Sequence, residues 1–446
     1  MSIDALINQM FEIAETEGFS EYEAYVEETD ALDLQSFDQE IIKFASSTTR
    51  GINFRGIWNG RVGSAYSETI EPDTAREMVS KAKAAATLTE TDDIVFMYGE
   101  KNVYSNLQLV NPILETVSTQ RKVDLVLRNE KEAMDSGKLD KIFGSNYGDG
   151  FTRRRIVNSH GLDVSYERNQ AMTYMEVIKS EKDQTYSAFE FEVTRDFDKL
   201  ENAQLPQRAI EKITAKLGAK PIPSGQYAVI LENQAAASLL SAYLSAFSAE
   251  AVQKGMSLLK DKVGTVIGTC LVNLIDDPTL ENGIASAPFD GEGVPCYRKY
   301  MIKSGRLETL LHNLKTAHKD QVKTTGNASR GSYKANIGVS HSNAYLETGT
   351  LSFEDLLSQV GTGLLITELD GLHAGTNAIS GDFSLGARGF LIEDGRPSQP
   401  VNQIVVSGNF FSMLSHVIGV ADDLKFWYDP VGSPSIAIES LSIAGQ

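Results

Sequence analysis

The sequence predicts an α+β protein of two domains: an N-terminal mixed helix/sheet domain over residues 1–218, and a C-terminal, largely antiparallel, β-rich and barrel-like domain over 222–446. Three observations carry this. The N-terminal half runs helix, several strands, helix, an order that favours α+β over a βαβ repeat. The run Gly218-Ala219-Lys220-Pro221-Ile222-Pro223 interrupts both helical and strand periodicity. From 335 to 446 the apolar stretches are short, strand-like and punctuated by glycine. At 446 residues the chain is long for one core and comfortable for two.

The elements follow in chain order. Ile3, Leu6, Ile7, Met10, Phe11 and Ala14 fall at helical spacing, with an acidic polar face and no basic leader, so the segment predicts a docking helix rather than a secretion signal. Tyr22 to Glu28 and Ala31 to Phe37 have strand composition, and Asn59-Gly60 between apolar residues predicts a hairpin within 53–64. After Pro72, the residues Ala75, Met78, Val79, Ala82 and Ala86 form a small apolar helical face. Residues 92–118 are aperiodic, 120–135 is helical, and 152–194 alternates as one half-exposed sheet requires. A helix at 205–217 precedes the boundary. Tyr227 to Leu231 predicts a strand, and a helix across 234–259 carries Leu239, Leu240, Tyr243, Leu244 and Phe247 on a broad apolar face.

Composition excludes several classes. Sixty acidic against 41 basic residues give a formal charge of −19, which opposes contact with nucleic-acid backbones and anionic lipid. No run of 18 apolar residues is present, and two cysteines, Cys270 and Cys296, build neither a disulfide scaffold nor a four-thiolate zinc site. A cytoplasmic protein fits these facts.

The residues that could carry chemistry declare little. None of the six histidines lies in an HExxH segment, and His312 and His318 read as surface or loop residues. Asp276, Asp277, Asp290 and Glu292 could hold a hard cation, but Asp-Pro and Asp-Gly are also turn formers. The glycines between 326 and 395 lack the P-loop ending and the dinucleotide fingerprint. Arg330 and Lys334 could recognise a carboxylate or phosphate, or sit on a surface loop.

Five blocks change this reading: PFDGEGVP at 288–295, LKTAHKDQVKTTGNASR at 314–330, ISGDFSLGARGFLIEDG at 379–395, PVNQIVVSGNFFSML at 400–414 and DLKFWYDPVGSPSIAIESLSIAG at 423–445. In content and order they resemble the TldD/PmbA family, within it the PmbA (TldE) branch. The resemblance implies that the TldD branch holds zinc with an HExxxH helix and a late cysteine. The matching positions here are Ser241 and Ala246 for the histidines and Ala242 for the glutamate, and Trp427 through Gly432 contains no cysteine. Serine and alanine are not normal zinc ligands, and alanine cannot take a proton from water.

The resemblance therefore implies a noncatalytic subunit that binds no cofactor itself, paired with a TldD-like subunit that supplies zinc and acts on unfolded peptides. It implies a homodimer when the chain is alone. Phe289, Asp290, Glu292, Asn327, Arg330, Asp382, Phe383 and Arg388 are the implied cleft or interface residues. A stand-alone peptidase with an unconventional metal site, and a DNA-gyrase-modulating binding protein, are the competing expectations.

Overall fold

The alternating segments of the first 194 residues fold as one six-stranded antiparallel sheet. The computed structural model of the chain describes residues 1–89, 94–182 and 184–446, so residues 92 and 93 of the aperiodic stretch lie outside the described residues. The strands are β1 (Phe19–Phe37), β2 (Glu40–Trp58), β3 (Arg61–Ser67), β4 (Lys141–Asn158), β5 (Asp163–Glu181) and β6 (Gln184–Thr194), in the spatial order β3-β2-β1-β4-β5-β6. The two strands expected at 22–28 and 31–37 are one strand. Thr29 and Asp30 pair with β2 on one side and β4 on the other, so the ladder runs straight through them. Asn59 and Gly60 both adopt positive φ, as the two-residue hairpin turn demands.

A strand turns alternate residues to opposite faces. One face of this sheet carries Ala24, Ile52 and Phe54, and α1 (Ile3–Thr16) and α2 (Thr74–Leu88) cover it through Leu6, Met10, Met78 and Val79. Further along the sheet, α3 (Thr119–Asp135) packs Leu125 and Val126 on Leu34 and Tyr147. Next to it, α4 (Leu205–Ala215) packs Ile210 and Ile213 on Met175 and Val177. The other face carries Glu23, Tyr25, Glu27, Asn53, Arg55, Arg154, Ile156, Tyr166 and Arg168. Its polar character would suit solvent, but loops of the C-terminal half cover part of it: the Tyr333 ring lies over Gly51, where a Cβ would come within 2.1 Å of it.

The C-terminal half contains a closed barrel. Its strands are β7 (Gly225–Leu231), β8 (Gly363–Asp370), β9 (Asp382–Glu393), β10 (Arg396–Asn409) and β11 (Ile436–Ala444). They run in the order β10-β9-β8-β7-β11, and β10 also pairs with β11 through Val405–Ala444, which closes the ring. All contacts are antiparallel except β7 with β8. One core joins Val229, Leu364, Leu385, Val406 and Ile438 to Leu239, Leu240 and Tyr243 of α5 (Asn233–Tyr243).

The single helix expected over 234–259 is broken. After α5 come a 3₁₀ turn at Leu244–Phe247 and a short helix at Ala249–Gln253. Ser248 between them is extended, at φ −72° and ψ 126°. There the chain pairs with Leu311, whose N–H donates to Phe247 O at 2.9 Å and whose carbonyl accepts from Ala249 N–H at 2.9 Å. Tertiary pairing thus overrides a sequence with good helical propensity.

A second small sheet places the candidate residues. Leu274–Asp276 lies between Lys299–Lys303 and Ala344–Leu346, and Ala344–Leu346 pairs in turn with Val431–Ser433. This sets Asp276 opposite Lys299 and brings the 427–432 segment beside residues 341–345.

Candidate functional site between the first sheet and the C-terminal loops

The polar sheet face and the C-terminal loops enclose a cavity of about 210 Å³. Its sheet wall is Tyr25, Arg154, Ile156, Tyr166 and Arg168; its loop wall includes Phe289, Asp290, Asn327, Arg330 and His341. Phe289 packs edge-on against Tyr166 and Tyr104, with ring centroids 5.1 and 5.7 Å apart. Tyr104, from the aperiodic stretch, also donates its hydroxyl to Gly293 O at 2.9 Å and so ties that stretch to the C-terminal loops.

Buried ion pairs lock the walls together. Arg330 meets Glu23 directly, its Nε donates to Gly291 O at 2.7 Å, and its guanidinium lies 4.7 Å from the Tyr25 ring centroid. Arg55 lies 3.5 Å from both Glu23 and Glu292. On the loop side, Lys299 Nζ donates to Asp276 at 3.0 Å and to Asn327 Oδ1 at 3.1 Å, while Asn327 Nδ2 donates to Asp276 at 2.7 Å. Burial alone would raise the Asp276 carboxyl, but Lys299, Asn327 and Ser342 outweigh it and hold it below the usual carboxylate range.

Asp290 is the exception among these carboxylates. It accepts N–H bonds from Glu292, Val294 and Ala328 at 2.9, 3.1 and 2.9 Å, which favour its charge. Burial, joined by the neighbouring Glu292, opposes them and pushes its carboxyl up to about 7. Burial likewise pushes Glu292 up. Cys296 also lines the cavity, and burial drives its thiol well above its ordinary value, the opposite of nucleophile activation.

Phe289, Asp290, Asn327 and Arg330 therefore come together at the cavity, and Glu292 stands behind them. Arg330 is a buried structural cation, not a surface-loop residue, and its guanidinium is already engaged by Glu23. The remaining three lie apart. Asp382 is exposed at the start of β9, where Asn409 donates to its carboxylate and Tyr243 donates to its carbonyl at 2.7 Å. Phe383 is buried in the barrel core, and Arg388 pairs with Asp370 at 3.0 Å and Glu368 at 3.4 Å.

The acidic cluster does not converge on a cation. Asp277 accepts from Thr279 N–H and hydroxyl at 2.9 and 2.7 Å in an Asp-Pro turn. Among the described residues, no group of three His, Cys, Asp or Glu is arranged to hold a metal ion. His312 is a correction to the sequence expectation: it is buried, because its backbone N–H binds Thr325 Oγ1 at 2.6 Å inside the fold, and burial lowers its pKa.

Of the positions aligned by resemblance with a zinc helix, Ser241 meets the late segment. Ser241, near the end of α5, donates to Asp429 Oδ2 at 3.1 Å, while Ala242 is half-buried and Ala246 is buried in the 3₁₀ turn. Burial raises the Asp429 carboxyl; Ser241, the Val431 N–H and His341 pull it back. Among the described residues Asp429 belongs to no group of three His, Cys, Asp or Glu side chains, so the donor set does not fit zinc.

Sequence reasoning missed Tyr25, Arg154, Tyr166, Arg168, His341 and Asp429. The signal available was parity: aromatic and basic residues at 154, 166 and 168 share one face of paired strands.

Comparisons with known proteins cover nearly the whole chain. Family profiles match residues 22–86 as PmbA/TldA metallopeptidase domain 1, 112–217 as the central domain and 224–445 as the C-terminal domain. The Metalloprotease PmbA of Escherichia coli O157:H7 is 28% identical, over 91% of this chain and 88% of that protein. The Metalloprotease PmbA homolog of Haemophilus influenzae is 27% identical, over 95% and 92%. Among solved structures, a protein from Thermotoga maritima described as a modulator of a DNA gyrase superposes with a TM-score of 0.92 at 29% identity, covering 99% of this chain and 100% of that one. TldE from Thermococcus kodakarensis superposes with a TM-score of 0.88 at 26% identity, covering 99% and 100%.

Proposed function

The chain belongs to the PmbA/TldD metallopeptidase family, and on that premise we propose that it is the noncatalytic, PmbA/TldE-like subunit of a TldD-type zinc metalloprotease complex that processes or degrades unfolded peptides in the cytoplasm. The observation that carries the reading is the Ser241–Asp429 contact. Where the resemblance sets two histidines, a glutamate and a cysteine, this chain sets Ser241, Ala246, Ala242 and a segment whose ligating side chain is Asp429. These groups can stabilise the junction of α5 with the 427–432 segment; they cannot form a three-ligand zinc centre with an adjacent base.

The partner would supply the zinc and activate water. This chain would enclose the cleft, position the peptide and stabilise the partner. Its overlapping fold with the TldE protein supports pairing with a TldD-like subunit, and self-association as a two-fold dimer when that subunit is absent.

The test is cleavage of an unstructured peptide panel by this protein, by the host's TldD-like protein, and by the two together, with and without chelator. Cleavage that requires the TldD-like protein and rises on mixing supports the reading. Chelator-sensitive cleavage by this chain alone, free of contaminating protease, overturns it in favour of a stand-alone metallopeptidase.

A further inference from the structure

We propose that Arg168 anchors a carboxylate of a peptide ligand bound in the cavity between the first sheet and the C-terminal loops. The inference rests on the peptide-handling reading above and adds a recognition residue that reading does not contain.

The first argument is position. Arg168 stands on β5 opposite Thr152 of β4, two residues along the same face from Tyr166. It lines the 210 Å³ cavity and also a second one of about 290 Å³ walled by Thr29, Gly148, Gly150 and Thr152, whose carboxylates, Asp33 and Asp149, are paired with Lys43 and Lys122. Arg168 is thus shared by the linings of the two spaces. An extended chain lying across the sheet face passes it, and Tyr25, Tyr166 and Phe289 supply apolar walls beside it.

The second argument is charge. Three other guanidiniums at or behind the cavity have carboxylates: Arg330 has Glu23, Arg55 has Glu23 and Glu292, and Arg154 has Glu27 at 2.8 Å. Glu27 accepts from Tyr25 on the same oxygen, at 2.8 Å, so its charge is already shared. Arg168 donates to the Ile284 carbonyl at 3.2 Å, and among the described residues no carboxylate lies within ion-pair distance of it.

Arg195, close enough for the two charges to repel, is buried and likewise bonds to carbonyls, those of Leu109 and Gly283 at 3.0 and 2.9 Å. Burial lowers the affinity of both guanidiniums for their protons. In a chain carrying a net −19, two neighbouring guanidiniums left on neutral acceptors are a local imbalance that an anion would offset.

The third argument is geometry. A guanidinium presents paired N–H donors that match the two oxygens of a carboxylate. Of the two guanidiniums only Arg168 lines the cavity, Arg195 being buried outside it, so one cation meets a bound anion there, which favours a carboxylate over a phosphate dianion. Peptides offer that group at the C-terminus and on acidic side chains.

The experiment is fluorescence-anisotropy binding of one unstructured decapeptide to the full chain in three forms: free C-terminal carboxylate, C-terminal amide, and amide with one internal glutamate. The free acid or the internal-glutamate peptide should bind about tenfold more tightly than the neutral amide, as expected for a charge-assisted pair, and which of the two does so identifies the source of the carboxylate. In Arg168→Gln the preference should fall below twofold while amide binding holds, and Arg168→Lys should restore part of it.

Equal binding of all three peptides, no binding of any, or a preference that survives in Arg168→Gln overturns the proposal. Should that variant fail to fold, acetate competition on the unaltered chain decides: acetate must displace the carboxylate peptide and spare the amide. Carboxylate-selective binding without stimulation of a TldD-like protease leaves the pocket standing and removes the subunit reading. Stimulation without selectivity does the reverse.

Discussion

Arg330→Met tests the junction between the first sheet and the C-terminal loops. The side chains of Arg330 and Glu23 are 2% and 0% exposed, so the substitution leaves Glu23 buried. Breaking one side of a buried pair costs roughly 3–5 kcal/mol, because the remaining charge loses its compensation. Here Glu23 keeps Arg55 at 3.5 Å, which places the expected loss at the lower end, about 3 kcal/mol. The lost bond to Gly291 O acts in the same direction.

For units of this size the loss corresponds to a fall of roughly 6–12 °C in melting temperature. The assay is thermal and urea unfolding of the parent, Arg330→Met, Glu23→Gln and the double variant. The double variant should be more stable than the sum of the single losses predicts, by about 1–3 kcal/mol, since it removes both buried charges together. A loss below about 1 kcal/mol for Arg330→Met, or strict additivity, would refute the claim that this pair holds the walls together.

Three further outcomes follow from the same contacts. Asp276→Asn leaves Lys299, itself 5% exposed at its side chain, without its counter-charge and should destabilise the chain by about 3–5 kcal/mol near neutral pH. Because the Asp276 carboxyl is held below its ordinary value, its contribution is present above the unfolded pKa and lost as pH falls through the lowered one; acid unfolding of the parent should therefore show a loss that Asp276→Asn lacks, and parallel curves would contradict the assignment. Ser241→Ala should cost roughly 1–2 kcal/mol while leaving cleavage by the mixed subunits unchanged. Since Asp429 is raised by burial, folding is favoured below its unfolded pKa and weakens as pH rises through the folded one, so the Ser241→Ala deficit should widen with pH in melts at several pH values. Gly63→Ala would put a Cβ 1.9 Å from the Ala82 carbonyl oxygen and 2.7 Å from Ala86 N, so α2 must lift from β3; circular dichroism melts should show a loss of roughly 3 kcal/mol or more, and a neutral result would mean that α2 docks differently.

Local chemistry explains which parts of the molecule were legible. The apolar stripe of α1, the Asn59-Gly60 turn and the alternation within β5 and β6 are short-range patterns, and each folds as its period requires. That Ser241, Ala242 and Ala246 are not zinc-ligating residue types is likewise visible in the linear chain, because a zinc ligand is a matter of side-chain type before it is a matter of geometry. Predictions failed where a distant segment outbid the local one. Leu311 breaks the helix expected over 234–259, and Thr325 draws His312 inside.

By itself, the sequence determined the α+β order of elements, the barrel-like C-terminal half and the family. Tertiary structure alone decided which charges are shared. Glu23 and Arg330, 307 positions apart, meet because the polar face of one sheet is roofed by loops of the other half, and Ser241 meets Asp429 because one small sheet carries the late segment to α5. Charge pairing in a protein interior depends on distance and burial, and neither is encoded by spacing along the chain.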